Sequence, residues 1–365
     1  MRAPDDDTLE LRDPDNAFRR IEAWLRHRGF FAPGGEQLAA DMFLGYGLSQ
    51  AIRRTSSPPP PEPCPELPLA ACRVREGGDP GRNLVAQSHK AIEIGAWEAT
   101  WTGDEYREAV ETVREGIARG NVYQVNLVQH LWAPFAGDPA GLAAALSPLQ
   151  PLHPGPFVGD AWTIVSASPE LFLARRGRRI WTMPIKGTRP LGDVEELTSS
   201  EKDAAEHVMI VDLERNDLSR VCDPGSVRWP ELLAPHELAG VEHLVSTVEG
   251  TLREGVGLAE MLEATFPGGS VTGAPKIAAV DLIAELEPVG RGASMGGLGR
   301  IYGNGDFDLA LTIRTFAVAR GRIHLWVGGG VVWDSDPEAE VEESWTKARP
   351  LLDAIGSRLP GAVLR

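Results

Sequence analysis

"AWTIVSASPELFLARRGRRIWTMPIKGTRP", residues 161–190, reads as strands joined by a hairpin around Arg176–Arg179. Upstream, "VYQVNLVQHLW" alternates as a strand does, and "DEYREAVETVREGIARGN" (104–121) is an amphipathic helix with Gly120-Asn121 as its stop. Downstream, the spacing predicts a helix over 198–215, where Ser200 and Asp203 form a Ser-x-x-Asp capping pair. A further helix is expected at 257–265, and "GGSVTGAPKIAAVDLIAELEP" gives a Gly-rich loop followed by a helix starting near Pro275. "FDLALTIRTFAVARG" and "RIHLWVGGGVVWDS" read as strands, and "DPEAEVEESWTKARPLLDAIGSRL" as a closing helix. Near the start, residues 16–31 carry apolar positions at helical spacing, and "SSPPPPEPCPELP" (56–68) reads as a linker or surface crossing. No internal repeat is found. Strands that come as hairpin neighbours, with helices interspersed, point to an α+β fold rather than a doubly wound parallel sheet.

A length of 365 residues suits one large domain or two ordinary ones, and 42% hydrophobic with 24% charged residues is the balance of a soluble globular protein. No run of about 18 apolar residues occurs, so no membrane span is expected. The opening "MRAPDDDTLELRDPDN" is acidic, unlike a signal peptide, and Cys64, Cys72 and Cys222 lack a zinc-type spacing. A cytoplasmic setting fits. The 52 acidic against 36 basic residues give a net charge of −16, which argues against nucleic acid and anionic membranes as partners. An anionic substrate would need a locally concentrated positive charge.

Lys186 is a single amine in an apolar turn bounded by Pro184 and Pro190. Its ordinary reading is an ammonium reaching solvent; the alternative is an amine kept partly dry, able to act as a nucleophile. Asp203 with Glu206, and Glu340 with Glu343, lie three apart on expected helices, so each pair shares one face. Such pairs are everyday features of solvated faces, but two of them facing one another would suit a divalent ion. "PGGSVTGAPK" (267–276) is not a phosphate loop, although it ends at a helix start where anions are attracted. "VGGGVV" (327–332) is a close-approach site or a tight bend, and the lone His243 in an apolar run is more often structural than catalytic.

Taken in order, "YQVNLVQ", "SASPELFL", "PIKGTRP", "AAEHVMIVDLERNDLSRV", "VEHLVSTVEG", "FPGGSVTGAPK", "GDFDLALTIRT" and "GGGVVWDSDPEAEVEESWTKA" resemble the chorismate-utilising enzymes, over roughly residues 100–355. That family includes anthranilate synthase component I, aminodeoxychorismate synthase component I, isochorismate synthase and salicylate synthase. The resemblance implies a single large chorismate-binding α+β domain with two packed sheets, surrounding helices and the site in a cleft. Residues 96–358 would form it, behind a divergent N-terminal region at 1–95.

Within the family, "PIKGT" rather than "PIAGT" is the aminodeoxychorismate form, and its lysine is the proposed nucleophile. Isochorismate and salicylate synthases carry a water-activating lysine where this chain has Gln124. The resemblance therefore implies that Lys186 attacks C2 of chorismate while Glu170 protonates the departing C4 hydroxyl, after which ammonia adds at C4. It further implies Mg2+ held by Glu206 and Glu343, with Asp203 and Glu340 one water away. Arg314 would hold the enolpyruvyl carboxylate and Lys347 would lie near the ring carboxylate. Gly187, Thr188, Thr272, Gly273, Gly328, Gly329 and Gly330 would contact substrate, and His243 would lie near the ring. Two departures stand out. Arg300 replaces the tyrosine of a "GYL" stretch near the enolpyruvyl group, where as a substrate-binding candidate it would strengthen carboxylate binding or else point away, and no "LES"-type motif is found, so tryptophan regulation is not expected. With no Cys-His-Glu set of its own, the chain would take ammonia from a separate glutamine amidotransferase subunit. The rival expectations are anthranilate synthase component I, a synthase of the 2-amino isomer, and a catalytically silent chorismate-binding regulator.

Overall fold

A computed structural model describes residues 7–75, 91–238 and 241–360, and of Thr188, Pro190, Lys202 and Leu238 it describes the backbone alone. In chain order the first strands are β1 (Thr8–Leu11), β2 (Ala39–Leu44), β3 (Ala70–Arg75), β4 (Glu93–Ile94), β5 (Glu98–Ala99), β6 (Gln124–Ala136), β7 (Phe157–Val158), β8 (Trp162–Ser166) and β9 (Leu171–Arg176). They continue with β10 (Arg179–Met183), β11 (Ile185–Pro190), β12 (Arg228–Leu238), β13 (Val241–Thr251), β14 (Gly273–Ala274), β15 (Gly297–Tyr302), β16 (Phe307–Leu311), β17 (Thr315–Ala319) and β18 (Arg322–Val331). The helices are α1 (Ala17–His27), α2 (Gly103–Ala118), α3 (Pro139–Leu146), α4 (Val194–Ser199), α5 (Glu201–Ser219), α6 (Leu258–Thr265), α7 (Lys276–Leu286) and α8 (Pro337–Ala354).

Two antiparallel sheets carry the fold. The first runs β1-β3-β2-β15-β16-β9-β10-β13-β11, with β12 also on β13; the second runs β14-β6-β18-β17-β8-β7, with β4 and β5 on β6. One contiguous core, from Leu11 in β1 to Ile355 after α8, lies against both. This is the α+β architecture with two sheets that the sequence led us to expect. β1, β2 and β3, from the first 95 residues, join the first sheet through the pairing of β2 with β15.

The hairpin at 161–190 forms as expected: Arg176 in β9 faces Arg179 in β10. The helix expected over 198–215 divides at Ser200 into α4 and α5, because the Ser200 hydroxyl accepts the Asp203 N–H at 3.2 Å and starts a new helix. "FDLALTIRTFAVARG" also divides. β16 belongs to the first sheet and β17 to the second, and the chain crosses between them at Thr312–Arg314, with Arg314 at φ 50°. That crossing puts Arg314 where the two sheets meet.

A buried ion pair fixes the second wall. Arg291, 1% exposed, donates to Glu287 at 2.7 Å, to the Val271 carbonyl at 2.7 Å and to the Asn126 carbonyl at 2.6 Å. It thus ties the loop before α7 to β6. A buried charge that loses its partner costs about 3–5 kcal/mol, so this loop is firmly held.

Candidate active site

Lys186 lies in β11, which pairs with β13 through a bulge: Lys186 faces Leu244, Thr188 faces His243, and Gly187 is the inserted residue. Gly187 has φ 61°, a conformation that glycine adopts without the steric cost of a Cβ. The bulge sends Lys186 toward the Gly-rich loop, where its Nζ donates to the Ser270 carbonyl at 3.3 Å. His243 donates from Nδ1 to the Gly187 carbonyl at 3.1 Å, which leaves the lone pair on Nε2. Burial holds its pKa below the ordinary histidine value, so the ring is neutral. The side chain of Thr188 lies outside the described residues.

Glu170 is buried just before β9. The Ser270 hydroxyl donates to its Oε1 at 2.8 Å, and the Ile185 N–H also points to its carboxyl. Burial raises its pKa; the charges of Lys186 and Arg314 and the two hydrogen bonds pull the other way. Ser270 therefore binds the amine through its carbonyl and the carboxyl through its hydroxyl. Arg314 lies within electrostatic reach of Glu170 and His243, and burial lowers its pKa from the ordinary guanidinium value.

The facing wall is the second sheet. Gln124 opens β6 and is 1% exposed, and its Oε1 finds no donor among the described residues. Its Nε2 occupies the space beside Gly330, where a Cβ would come within 2.1 Å. Gly328, Gly329 and Gly330 lie opposite Val128, Leu127 and Asn126. A Cβ on Gly329 would meet Glu343 Oε1 at 3.1 Å, Glu340 Oε2 at 3.3 Å and Lys347 Nζ at 3.3 Å. Lys347 donates to Glu343 at 2.7 Å and to the Gly328 carbonyl at 3.0 Å, while Glu340 accepts from Ser335 at 2.7 Å. Thr272 uses its hydroxyl within its own loop, on the Gly268 carbonyl at 2.9 Å, and Gly273 pairs with Val125.

The other acidic pair is on α5. Asp203 is held by Arg189 at 3.1 Å and lies beside Gly187, whose missing Cβ would be 3.5 Å from its Cγ. Glu206 is half-buried one turn on. Among the described residues no three His, Cys, Asp or Glu side chains gather around one point. Carboxylates are the donors that a hard cation takes, and those of Glu340 and Glu343 crowd the missing Cβ of Gly329 together with the Lys347 ammonium. The guanidinium of Arg300 is held by Asp41 of β2 at 3.0 Å.

Three residues of this site were not singled out by sequence. Ser270 had a signal only in the Gly-rich loop. His207, next to Glu206, is fully buried with neither ring nitrogen partnered among the described residues, and burial with the Lys186 charge lowers its pKa to about 4. Glu214, in "ERND", is buried near Glu170. What gathers here is an amine, an acid whose pKa burial raises, neutral imidazoles and a guanidinium. This combination can bind an anion and carry out nucleophilic and acid chemistry on it.

The chorismate binding enzyme family matches residues 40–353. Anthranilate synthase component 1 of Thermus thermophilus is 44% identical over 271 residues, 71% of this chain and 58% of that one. Aminodeoxychorismate synthase component 1 of Klebsiella aerogenes is 41% identical over 274 residues, 72% of this chain and 60% of that one. Among solved structures, anthranilate synthase component I from Streptococcus pneumoniae superposes with a TM-score of 0.76 at 26% identity, covering 86% of this chain and 80% of that one. The chain spans about three fifths of the length of the curated relatives it matches.

Proposed function

The chain belongs to the chorismate-binding enzymes, a family of chorismate-utilising synthases, and on that premise we propose that it is the aminodeoxychorismate-forming component, converting chorismate and ammonia to 4-amino-4-deoxychorismate. The observation that carries this reading is the bridge at Ser270, which holds the Lys186 amine and the Glu170 carboxyl side by side.

Two steps use these groups. Lys186 Nζ, as the free amine, bonds to C2, the ring double bonds shift toward C4, and the C4–O bond breaks as Glu170 gives its proton to the departing hydroxyl, which leaves as water. Ammonia then bonds to C4, the double bonds shift back and the Nζ–C2 bond breaks. The proton shed by the new C4 nitrogen returns to Glu170. Dividing one hard displacement into two easier ones is the gain from a covalent intermediate. Arg314 would pair with the enolpyruvyl carboxylate, and Lys347 would lie near the ring carboxylate. Gln124 would line the cleft with an amide, which is a far weaker base than an amine.

Glu206 and Glu343, flanked by Asp203 and Glu340, would hold Mg2+. The ion would supply Lewis-acid charge withdrawal at the ring carboxylate. Neutral ammonia is scarce near pH 7, so it would come from a separate glutamine amidotransferase subunit, and a cytoplasmic setting fits. Among the described residues, no helix is long and apolar enough to cross a membrane.

The test is incubation with chorismate, Mg2+ and an ammonium salt at mildly alkaline pH, with products separated by mass and retention. Formation of 4-amino-4-deoxychorismate supports the proposal. Anthranilate as the product would move the chain to the branch of its Thermus thermophilus relative, and no turnover with ammonia in excess would favour a silent chorismate binder.

A further inference from the structure

Between the 3-10 helix Tyr46–Ile52 and α7 lies a cavity of about 30 Å³, room for two or three waters at about 10–15 Å³ each. Tyr46, Arg53 and Glu62 line it together with Ile283 and Ala284 of α7, and the exposed Pro59 carries it to the surface.

The three polar side chains in this cavity are incompletely bonded. The Arg53 side chain is 6% exposed, and its Nη2 donates to the Thr55 hydroxyl at 2.9 Å. Its Nε finds no acceptor among the described residues, and Asp281 Oδ1 stands 3.9 Å away. The Tyr46 hydroxyl is buried and makes no well-formed hydrogen bond. Glu62 accepts the Gly292 N–H at 3.0 Å, but no lysine or arginine is among the charges that act on it. Arg53 lies within electrostatic reach of Tyr46 and not of Glu62, so two donors gather apart from the carboxyl. Buried polar groups without partners are costly, and a ligand that carries both signs would complete all three.

We propose that this cavity binds a small α-amino acid as its zwitterion, with the ammonium on Glu62, the carboxylate on Arg53 Nε and the Tyr46 hydroxyl, and a short side chain against Ile283 and Ala284. A carboxylate alone would leave Glu62 without a cation, and an amine alone would leave the two donors unmet. Hydrogen bonds link the cavity to the active-site loop. The Gly290 N–H donates to the Pro61 carbonyl at 2.9 Å and the Gly292 N–H to Glu62, so this segment holds Arg291 from both sides. Arg291 donates to the Val271 carbonyl, next to Ser270. A ligand that draws on Glu62 therefore acts on the contacts that place Ser270.

The test is calorimetric titration of the resting protein with L-alanine, beside propionate, which lacks the amine, and ethylamine, which lacks the carboxyl. L-Alanine should bind about tenfold more tightly than either. Glu62→Gln keeps an acceptor for Gly292 and Tyr46→Phe removes one hydroxyl, so both should fold, as their Tm values will show. The first should weaken L-alanine about tenfold and the second about fivefold. A wild-type Kd above about 10 mM, equal binding of propionate or ethylamine, or unchanged affinity in both folded variants overturns the site. With L-alanine saturating, the KM for chorismate should shift by about fivefold in wild type and stay unmoved in Glu62→Gln. An unmoved wild-type KM with the site filled refutes the link to Ser270. Calorimetry needs no turnover: if wild type makes no 4-amino-4-deoxychorismate yet binds L-alanine as described, the reaction reading falls and the amino-acid site stands.

Discussion

Replacing Gly187 with alanine probes how the bulge aims Lys186. At φ 61° an L side chain costs roughly 1–2 kcal/mol. The new Cβ would also lie 2.7 Å from Leu197 Cδ1, and Leu197 is fully buried with nowhere easy to go. Forcing a methyl into a packed site adds about 1–3 kcal/mol, so the total is about 2–5 kcal/mol. With an unfolding entropy of about 2.1 cal/mol/K per residue, a 365-residue chain loses roughly 1.3 °C per kcal/mol, hence a fall in Tm of about 3–6 °C. Function should suffer more, because a displacement of about 1 Å at a reacting atom can cost on the order of a hundredfold. Calorimetry and steady-state rates with ammonium measure both effects. Adding Leu197→Ala to Gly187→Ala should relieve the contact but not the backbone strain, so the pair of changes should cost less than the sum of the singles. A Gly187→Ala protein that melts and turns over like wild type would refute the geometry.

Three further outcomes are expected. Arg291→Met leaves Glu287 buried without its partner and frees the Val271 and Asn126 carbonyls; denaturant unfolding should show a loss of about 3–5 kcal/mol. Glu62 is pushed up to about 7, chiefly by burial, so the folded state binds its proton more tightly than the unfolded chain, and stability falls as pH rises from the ordinary carboxyl value toward 7. Glu62→Gln should remove that decline and at pH 8 should stabilise the fold by on the order of 3 kcal/mol, read from Tm against pH. Mg2+ should raise the Tm of wild type, as any ligand of the folded state does, and the rise should vanish in a Glu206→Gln, Glu343→Gln double variant.

Where local chemistry decides, the sequence was legible. The turn at Arg176–Arg179, the helix stop at Gly120-Asn121 and the Ser200 cap each depend on a few adjacent residues, and each appears where expected, the cap dividing one expected helix into two. The break between β16 and β17 was not legible, because Thr312-Ile313-Arg314 is as β-prone as its neighbours and the change of sheet is imposed by tertiary packing. β2 was missed for a related reason: "AADMFL" is buried along its whole length, so it lacks the alternation that marks a half-buried strand, and its partner β15 lies more than 250 residues away. At the site, Lys186 and Glu170 stood out by their motifs. Their meeting at Ser270 is a contact between residues 84 and 100 positions apart, which no local pattern encodes. Glu214 looked like any acidic helix residue until the loop at Gly269 covered it.

The most direct measurement of the central claim is the intact mass of the protein after exposure to chorismate and Mg2+ without ammonia, followed by peptide mapping. A covalent addition of chorismate less one water, on the peptide carrying Lys186 and absent in Lys186→Ala, is the predicted result. Wild type free of any adduct, together with a Lys186→Ala protein that still aminates chorismate, would contradict it.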